Sequence, residues 1–479
     1  MSNDEYYKDK EFLGLLKEYE QAVKAGVSPF MDADDLADIA DYYQMKERYD
    51  EAQQALDRAL ELQPDSIVAL NYQIHNAISQ GDFPAAEDYL ERIIDRQLPE
   101  YIYCRAEIWI AQEQLEEADE YLRQQLAECP PEEVQDYILD VANIFSDYGY
   151  NEKAMEWMTR AQHDNSDDFK ELMARTLFGM GNYDESERIF NELLDRNPFQ
   201  KRYWSALANT QFMKEDYGAS VTSSEYAIAI DPDDAEGILA KANGLFRLEN
   251  FEEALEYYKR YNKKEPDDEF GLLHQGTCLI NLGRYEEAVA QLKDAIETAP
   301  EDSPYLLEIY QELGFAYSEM KMPETALYYI DQTETLECDH VDMLVVKGHI
   351  LLANERLEDA ELMFKHAIKQ SDNAPHTLMR IIVSLYDNHY VEAAYKMFLN
   401  FFKHVEEDWN EGYAYMALCC HDLKRDDEFM TYLKIASERN PQEARMVLAH
   451  LFPQDMKAEN YYNYMEERLK NKTTDSNER

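Results

Sequence analysis

The chain has 479 residues, and 99 aspartates and glutamates against 46 lysines and arginines give it a formal net charge of −53. A surface this acidic repels phosphate backbones and anionic lipid headgroups, so nucleic acid and membranes are poor partners and a neutral to basic protein or peptide is a better one. Acidity that serves only solubility remains an equal alternative. With 15 glycines and 15 prolines, the sequence predicts long helices, not many short strands.

The N-terminal segment, residues 1–32, predicts a capping helix. Residues 4–25 place Phe12, Leu15, Leu16, Tyr19 and Val23 on one helical face. The segment has no basic stretch followed by an apolar run and no lipidation motif. No stretch of about 18 apolar residues occurs in the chain, which argues against a membrane span. We therefore expect a cytoplasmic protein with reduced thiols.

A repeat with a period close to 34 residues fills most of the sequence. Its clearest mark is a small residue after acidic ones, as in Phe251-Glu-Glu-Ala254 and Tyr285-Glu-Glu-Ala288. That position recurs at Ala52, Ala86, Ala118, Ala154, Ser186, Ser220, Ala254, Ala288, Ala326, Ala360, Ala393 and, weakly, Phe429. A second small position lies twelve residues earlier in nearly every unit, with Ile74 and Ile381 as exceptions. Small residues at both places allow two antiparallel helices to approach closely.

Prolines such as Pro198, Pro232, Pro266 and Pro300 close several units. These small positions and prolines resemble the tetratricopeptide repeat family over residues 33–441, as about twelve units. The resemblance implies an all-α fold, a right-handed α-solenoid of antiparallel helix pairs. We predict units 1–8 in residues 33–302 and units 9–12 in residues 303–441, after a short insertion at Ser303 to Leu306. Capping helices are predicted in 442–470, and a disordered tail in 471–479.

Chemistry-bearing motifs are missing from the sequence. We find no phosphate-binding glycine loop, no dinucleotide fingerprint, no paired-histidine zinc motif and no serine-hydrolase elbow. The six cysteines show no disulfide or zinc spacing. The sequence therefore predicts a protein that is not an enzyme, with no metal and no cofactor.

The resemblance implies that the first helix of each unit lines a concave groove. Its inward positions form an amide row beside an apolar strip, which predicts a peptide-binding groove at Asn143, Arg175, Asn209, Asn243, Phe178, Phe212, Phe246 and Ile280. An asparagine side chain can form hydrogen bonds with the backbone of a peptide whatever the sequence of that peptide. Aromatic rings supply apolar surface that anchors the peptide's side chains. Packing between neighbouring first helices is the alternative role for the phenylalanines.

These features favour a scaffold or adaptor that binds a protein segment in the groove. The alternative is a peptide- or small-ligand-sensing regulator that uses the same groove. Family members that hold acidic chaperone C-terminal tails need basic residues at the second and sixth inward positions. Arg202 is the one basic residue at the second position, and Ala206 occupies the sixth position of its unit. We therefore predict that acidic chaperone tails do not bind.

Overall fold

The computed structural model describes residues 7, 10–27, 31–45, 48–161, 164–336, 338–406, 408–453 and 456–468. These residues form α-helices with a few short 3-10 turns and contain no β-strand. The chain divides into two compact units, Met1–Ile230 and Asp231–Arg479, called here the N-terminal and C-terminal units. The predicted tail, 471–479, lies outside the described residues.

In the described part of the N-terminal unit there are one opening helix and six helix pairs. The opening helix is α1 (Lys10–Ala25), and the pairs are α2 (Ala33–Met45) with α3 (Tyr49–Leu62), α4 (Ile67–Ser79) with α5 (Phe83–Leu90), α6 (Pro99–Ala111) with α7 (Leu115–Glu128), α8 (Val134–Asp147) with α9 (Asn151–Met158), α10 (Asp167–Gly179) with α11 (Tyr183–Arg196), and α12 (Lys201–Met213) with α13 (Tyr217–Ile230).

The C-terminal unit also contains six pairs, followed by closing helices. The pairs are α14 (Ala235–Arg247) with α15 (Phe251–Asn262), α16 (Glu269–Asn281) with α17 (Tyr285–Thr298), α18 (Leu306–Glu319) with α19 (Pro323–Gln332), α20 (His340–Ala353) with α21 (Leu357–Gln370), α22 (Pro375–Asp387) with α23 (Val391–Phe401), and α24 (Tyr413–Asp422) with α25 (Asp426–Arg439). Helix α26 (Pro441–Leu448) follows, and residues 461–468 are helical. Each unit is thus an α-solenoid of helical hairpins.

The small residues of the repeat lie where the two helices of a pair cross. Ala40, Ala208 and Ala242 of the first helices are completely buried, as are Ala118 and Ala254 of the second helices. A Cβ placed on Gly276 would stand 2.5 Å from Cδ2 of Leu292, a distance that real Cβ atoms do not reach. Close helix crossing therefore explains the small positions.

Two details of the expected pattern differ in the structure. In the eleventh pair Ala394 is completely buried and Ala393 is exposed, so the packing position lies one residue after the predicted one. On α1, Phe12, Leu16 and Tyr19 are buried as expected, but Val23 is exposed, because Ala22 faces the core instead. Within the described part of the chain, none of the helices reaches the length and apolar character that crossing a bilayer demands.

Candidate functional site

The predicted amide row in the N-terminal unit is engaged in contacts within the unit. Arg175 on α10 donates from Nη1 to Oδ1 of Asn143 on α8 at 3.3 Å, and from Nη2 to Oδ1 of Asp147 at 2.6 Å. Asn143 also donates from Nδ2 to Oδ2 of Asp147 at 2.9 Å. These contacts fix consecutive first helices to each other and leave Asn143 one N–H and one lone pair for a peptide backbone.

Carboxylates surround this network. A cavity of about 370 Å³ lies between α8, α10 and α12, and its lining includes Asp136, Asp140, Asp168 and Glu171. Burial raises the pKa of Asp140 and that of Glu171 above their usual ranges, although the Tyr103 hydroxyl opposes the first shift and Arg202 the second. Arg202 forms an ion pair with Glu171. The cavity therefore suits a cationic group better than an anionic one.

The predicted phenylalanines pack inside their own hairpins. Each half-buried ring contacts the aromatic residue that opens the second helix of its pair, with centroid separations of 5.5 Å for Phe178 with Tyr183 and 5.3 Å for Phe212 with Tyr217. Asn209 lies half-buried on α12, three residues before Phe212. The rings thus help to close the hairpins and keep part of their surface exposed.

The predicted residues of the C-terminal unit are more deeply packed. Oδ1 of Asn243 accepts a hydrogen bond of 2.7 Å from the hydroxyl of the buried Tyr258. Phe246 contacts both Phe251 and the His274 ring at centroid separations of 5.5 Å. Ile280 is buried on α16. Part of the predicted strip in this unit therefore belongs to the core.

Further along the C-terminal unit, the first helices carry an apolar cavity that the sequence analysis did not identify. The cavity has a volume of about 330 Å³ and lies between the first helices α18, α20 and α22. Apolar side chains dominate its lining: Phe315, Val345, Val346, Ile350, Met379 and Val383. Phe315 is 43% exposed, so much of its apolar surface is open to a ligand. Three consecutive helix pairs thus build one apolar depression.

Polar groups converge at one side of this cavity. Nδ1 of His349 lies 3.0 Å from Oγ of Ser384 and 3.3 Å from Nδ2 of Asn388. Because an amide nitrogen can only donate, Nδ1 accepts and the proton of the neutral ring resides on Nε2. Burial lowers the pKa of His349 below its usual range. The imidazole is therefore neutral near pH 7 and acts as a polar contact, not as a cation.

Two carboxylates continue the same face of α18. Glu308 and Glu312 lie one turn apart, and Phe315 follows in the next turn. Burial raises the pKa of Glu312 to about 7, and the negative charge of Glu308 adds to the rise. Neither carboxylate has a salt-bridge partner among the described residues. This surface is therefore apolar at one end and anionic at the other.

A third group of side chains has the composition of a metal site. His75 on α4 and both Cys104 and Glu107 on α6 place their potential ligand atoms within 4.8 Å of one another. Within the described ranges no other group of three histidine, cysteine, aspartate or glutamate side chains meets this distance. No sequence motif predicts this cluster, because its three residues come from two different helix pairs.

The comparisons with known proteins identify the repeat. Three stretches match family models described as tetratricopeptide repeat, at residues 36–66, 151–210 and 239–303. No curated protein matches the sequence significantly.

Several solved structures share parts of the helical array. A tetratricopeptide repeat protein from Parabacteroides merdae ATCC 43184 is 13% identical, with 59% of this chain and 97% of that chain covered and a TM-score of 0.38. TTC0263, a thermophilic repeat protein of Thermus thermophilus, is 22% identical, with 39% and 100% covered and a TM-score of 0.31. YrrB, described as having an unusual peptide-binding site, is 21% identical, with 40% and 97% covered and a TM-score of 0.35.

Two of the matched stretches lie in the N-terminal unit and one lies in the C-terminal unit. Each falls on helical hairpins that resemble the hairpins before and after it. The chain contains tetratricopeptide repeats in both of its units.

Proposed function

We propose that the chain is a non-enzymatic interaction scaffold that holds a protein segment against the first helices of its pairs. The repeat family supports a role in protein interaction in general. The observation that carries the finer proposal is the apolar cavity between α18, α20 and α22 beside the Glu308–Glu312 pair. A segment with an apolar anchor followed by a lysine or arginine matches both features.

The energetics favour such a segment over other ligands. An apolar side chain that fills the cavity gains about 1.5–3 kcal/mol from burial. A cation beside Glu312 would relieve the unfavourable burial of that carboxylate, so the same contact lowers the pKa of Glu312. An acidic segment gains neither benefit, in keeping with the predicted failure of acidic chaperone tails to bind.

The groove predicted from the sequence remains part of the proposal. Asn143, Arg175, Phe178, Asn209 and Phe212 form its portion in the N-terminal unit, beside the carboxylate-lined cavity. Asn243, Phe246 and Ile280 form its portion in the C-terminal unit. Substitution to alanine at Asn209 or Phe212 should weaken partner capture, and an equal loss of folding in both variants would assign them to the core instead.

The test uses peptides selected from a random library on the full chain. We expect enrichment of sequences with a large apolar residue close to a lysine or arginine. Phe315→Ala should then weaken binding of a selected peptide at least about tenfold in fluorescence anisotropy, since it removes one wall of the cavity.

Phe199→Ala is the matched control, because the Phe199 ring is 84% exposed and lies outside the cavity. Its dissociation constant should equal that of the wild type. Selected peptides that bind Phe315→Ala as tightly as wild type, or that are acidic, would contradict the proposed site.

A further inference from the structure

His75, Cys104 and Glu107 meet on the first helices of the second and third pairs. Cys104 and Glu107 lie three residues apart, so they share one face of α6. The Nδ1 atom of His75 lies 3.0 Å from Oε2 of Glu107. Two ligands of one tetrahedral zinc ion stand about 3.3 Å apart, given bond lengths near 2.0 Å. The imidazole and carboxylate are thus already at the separation that a shared ion needs, and all three ligand atoms lie within 4.8 Å of one another.

Glu107 directs a buried carboxylate oxygen at this cluster. Its Oε2 atom is buried, and Nδ1 of His75 lies 3.0 Å from it. A buried carboxylate needs a positive partner, and a divalent cation between the two side chains would take that role from the imidazole ring. Such a cation would stand within reach of both the imidazole and the thiol.

The residues around Cys104 also suit a thiolate that binds a metal ion. The thiol of Cys104, whose side chain is almost fully buried, donates to Oδ1 of Asn71 at 2.8 Å. After loss of the thiol proton, rotation of the amide would let Nδ2 donate to the thiolate, as outer groups do at metal sites. Glu100 and Asp140 line the same cavity of about 320 Å³ and add negative potential without a lysine or arginine in the lining.

We propose that His75, Cys104 and Glu107 form a binding site for a zinc ion, with the fourth position open to the cavity. The mixed nitrogen, sulfur and oxygen donors favour zinc or another borderline-soft divalent ion over magnesium and calcium, which prefer oxygen alone. Binding releases the thiol proton to solvent and displaces the proton that Nδ1 of His75 shares with Glu107, and it leaves one imidazole, one thiolate and one carboxylate on the ion. The ion joins α4 to α6, so it links two consecutive helix pairs.

Cobalt(II) titration of the full chain tests this site, because a thiolate ligand produces a charge-transfer band that carboxylates alone do not. We expect one cobalt ion per chain with that band and with the visible absorption of tetrahedral cobalt. Added zinc should abolish both signals. Cys104→Ser should lose the charge-transfer band, and His75→Ala should raise the dissociation constant at least about tenfold. His75 has a 45% exposed side chain, so its removal should leave the fold intact.

Cys278→Ser serves as the control, because Cys278 is equally buried but lies in the C-terminal unit. It should retain the wild-type band. Circular dichroism of every variant checks folding. The proposal is overturned if the wild type shows no thiolate band, if the band persists in Cys104→Ser, or if His75→Ala binds cobalt within about twofold of wild type.

Discussion

At the scale of single residues, one buried carboxylate joins two helix pairs of the N-terminal unit. Asp119 on α7 is 3% exposed and accepts from Nε1 of the fully buried Trp157 on α9 at 2.9 Å. The Lys153 ammonium lies 3.2 Å from its other oxygen, and Arg123 lies 2.7 Å away. Loss of this carboxylate leaves the buried indole N–H without its acceptor and removes the nearest anion from Lys153, which keeps Glu156 at 3.6 Å.

We therefore expect Asp119→Ala to lower the free energy of unfolding by about 3 kcal/mol. The shift of the urea midpoint, followed by tryptophan fluorescence, measures the loss. Glu116→Ala provides the comparison on the same helix, because the Glu116 side chain is 85% exposed and its removal should cost little. Similar midpoints for the two variants would mean that Asp119 contributes no more than a surface acid.

A second residue-scale prediction concerns the pH dependence that Glu312 imposes. Its pKa of about 7 in the folded chain exceeds the ordinary glutamate value of 4.5, so the folded state binds the proton more tightly than the unfolded state does. The stability contributed by this group is present at low pH and is lost as pH rises from about 4.5 to about 7.

Glu312→Gln removes this loss. The variant should be more stable than wild type at pH 8 by up to about 3 kcal/mol, because a tenfold change in proton affinity corresponds to about 1.4 kcal/mol. At pH 4 the two proteins should unfold at the same urea concentration. Glu358→Gln, an exposed position on α21, should show no such pH-dependent difference. An advantage of Glu312→Gln that is equal at both pH values would refute the buried-carboxylate explanation.

At the scale of the helical hairpin, a left-handed residue ends the first helix of eleven pairs among the described residues. Glycine occupies this position at Gly81, Gly149, Gly181 and Gly283, and other residues occupy it at Glu113, Glu215, Glu249, Lys321, Glu355, His389 and Lys424. The next residue donates back to a carbonyl five positions earlier, as Asp216 does to Gln211. This is the pattern of a Schellman cap.

The non-glycine caps store strain that glycine would relieve. Glu215 has a φ of 62° and is exposed, so Glu215→Gly should stabilise the chain by up to about 1 kcal/mol. Gly181→Ala, in the preceding hairpin, should destabilise it by about 1 kcal/mol. Thermal unfolding midpoints that move in opposite directions would agree with this account. A lower midpoint for Glu215→Gly would mean that the unfolded-state entropy of glycine outweighs the strain.

The caps also explain how far the sequence could predict the hairpins. The buried small residue of the second helix lies five positions after the left-handed residue in ten of these pairs, and in the last pair Phe429 occupies that position. In the eleventh pair the residue five positions after His389 is Ala394, which is the buried alanine. The sequence pattern had predicted Ala393 instead, because Ala393 directly follows an acidic residue. The repeat period predicted the order of the helices and the other positions at which paired helices cross. It could not decide which of two adjacent alanines is buried, because that depends on how the two helices pack.

The same limit applies to the binding surfaces. Phe315 and His349 each follow the small glycine of their first helix, as Asn143 and Asn209 follow alanine, so extension of the inward rule beyond the central units would have identified both. Met379 is the sixth position of its unit and would have been identified in the same way, whereas Val383 reaches an inward position only through the shift of one residue in that pair. The His75–Cys104–Glu107 cluster depends on the offset between consecutive first helices, which a repeat period does not encode.

At the scale of the whole molecule, the excess of 53 negative charges opposes compact folding. Many carboxylates do have partners, such as Glu287 with Arg284 at 2.6 Å, but exposed pairs contribute little each. With 99 acids and 46 bases, more than half of the acids have no basic residue to balance them. Added salt weakens both the attraction within ion pairs and the repulsion between carboxylates. The total repulsion is the larger of the two energies, because it acts between all like charges within about 10 Å or more.

We therefore expect the thermal midpoint of the full chain to rise as NaCl increases from 10 mM to 500 mM, two concentrations that span the range from weak to strong screening (Debye lengths of about 30 Å and about 4 Å). The association rate of a lysine-containing peptide selected on the C-terminal cavity should fall over the same range, because screening removes electrostatic steering. Equal osmolality of sucrose is the control, since it adds no ions and should leave the association rate unchanged apart from viscosity. A midpoint that falls with salt would show that local ion pairs outweigh the net repulsion. An association rate insensitive to salt would mean that the acidic surface serves solubility and does not recruit the partner.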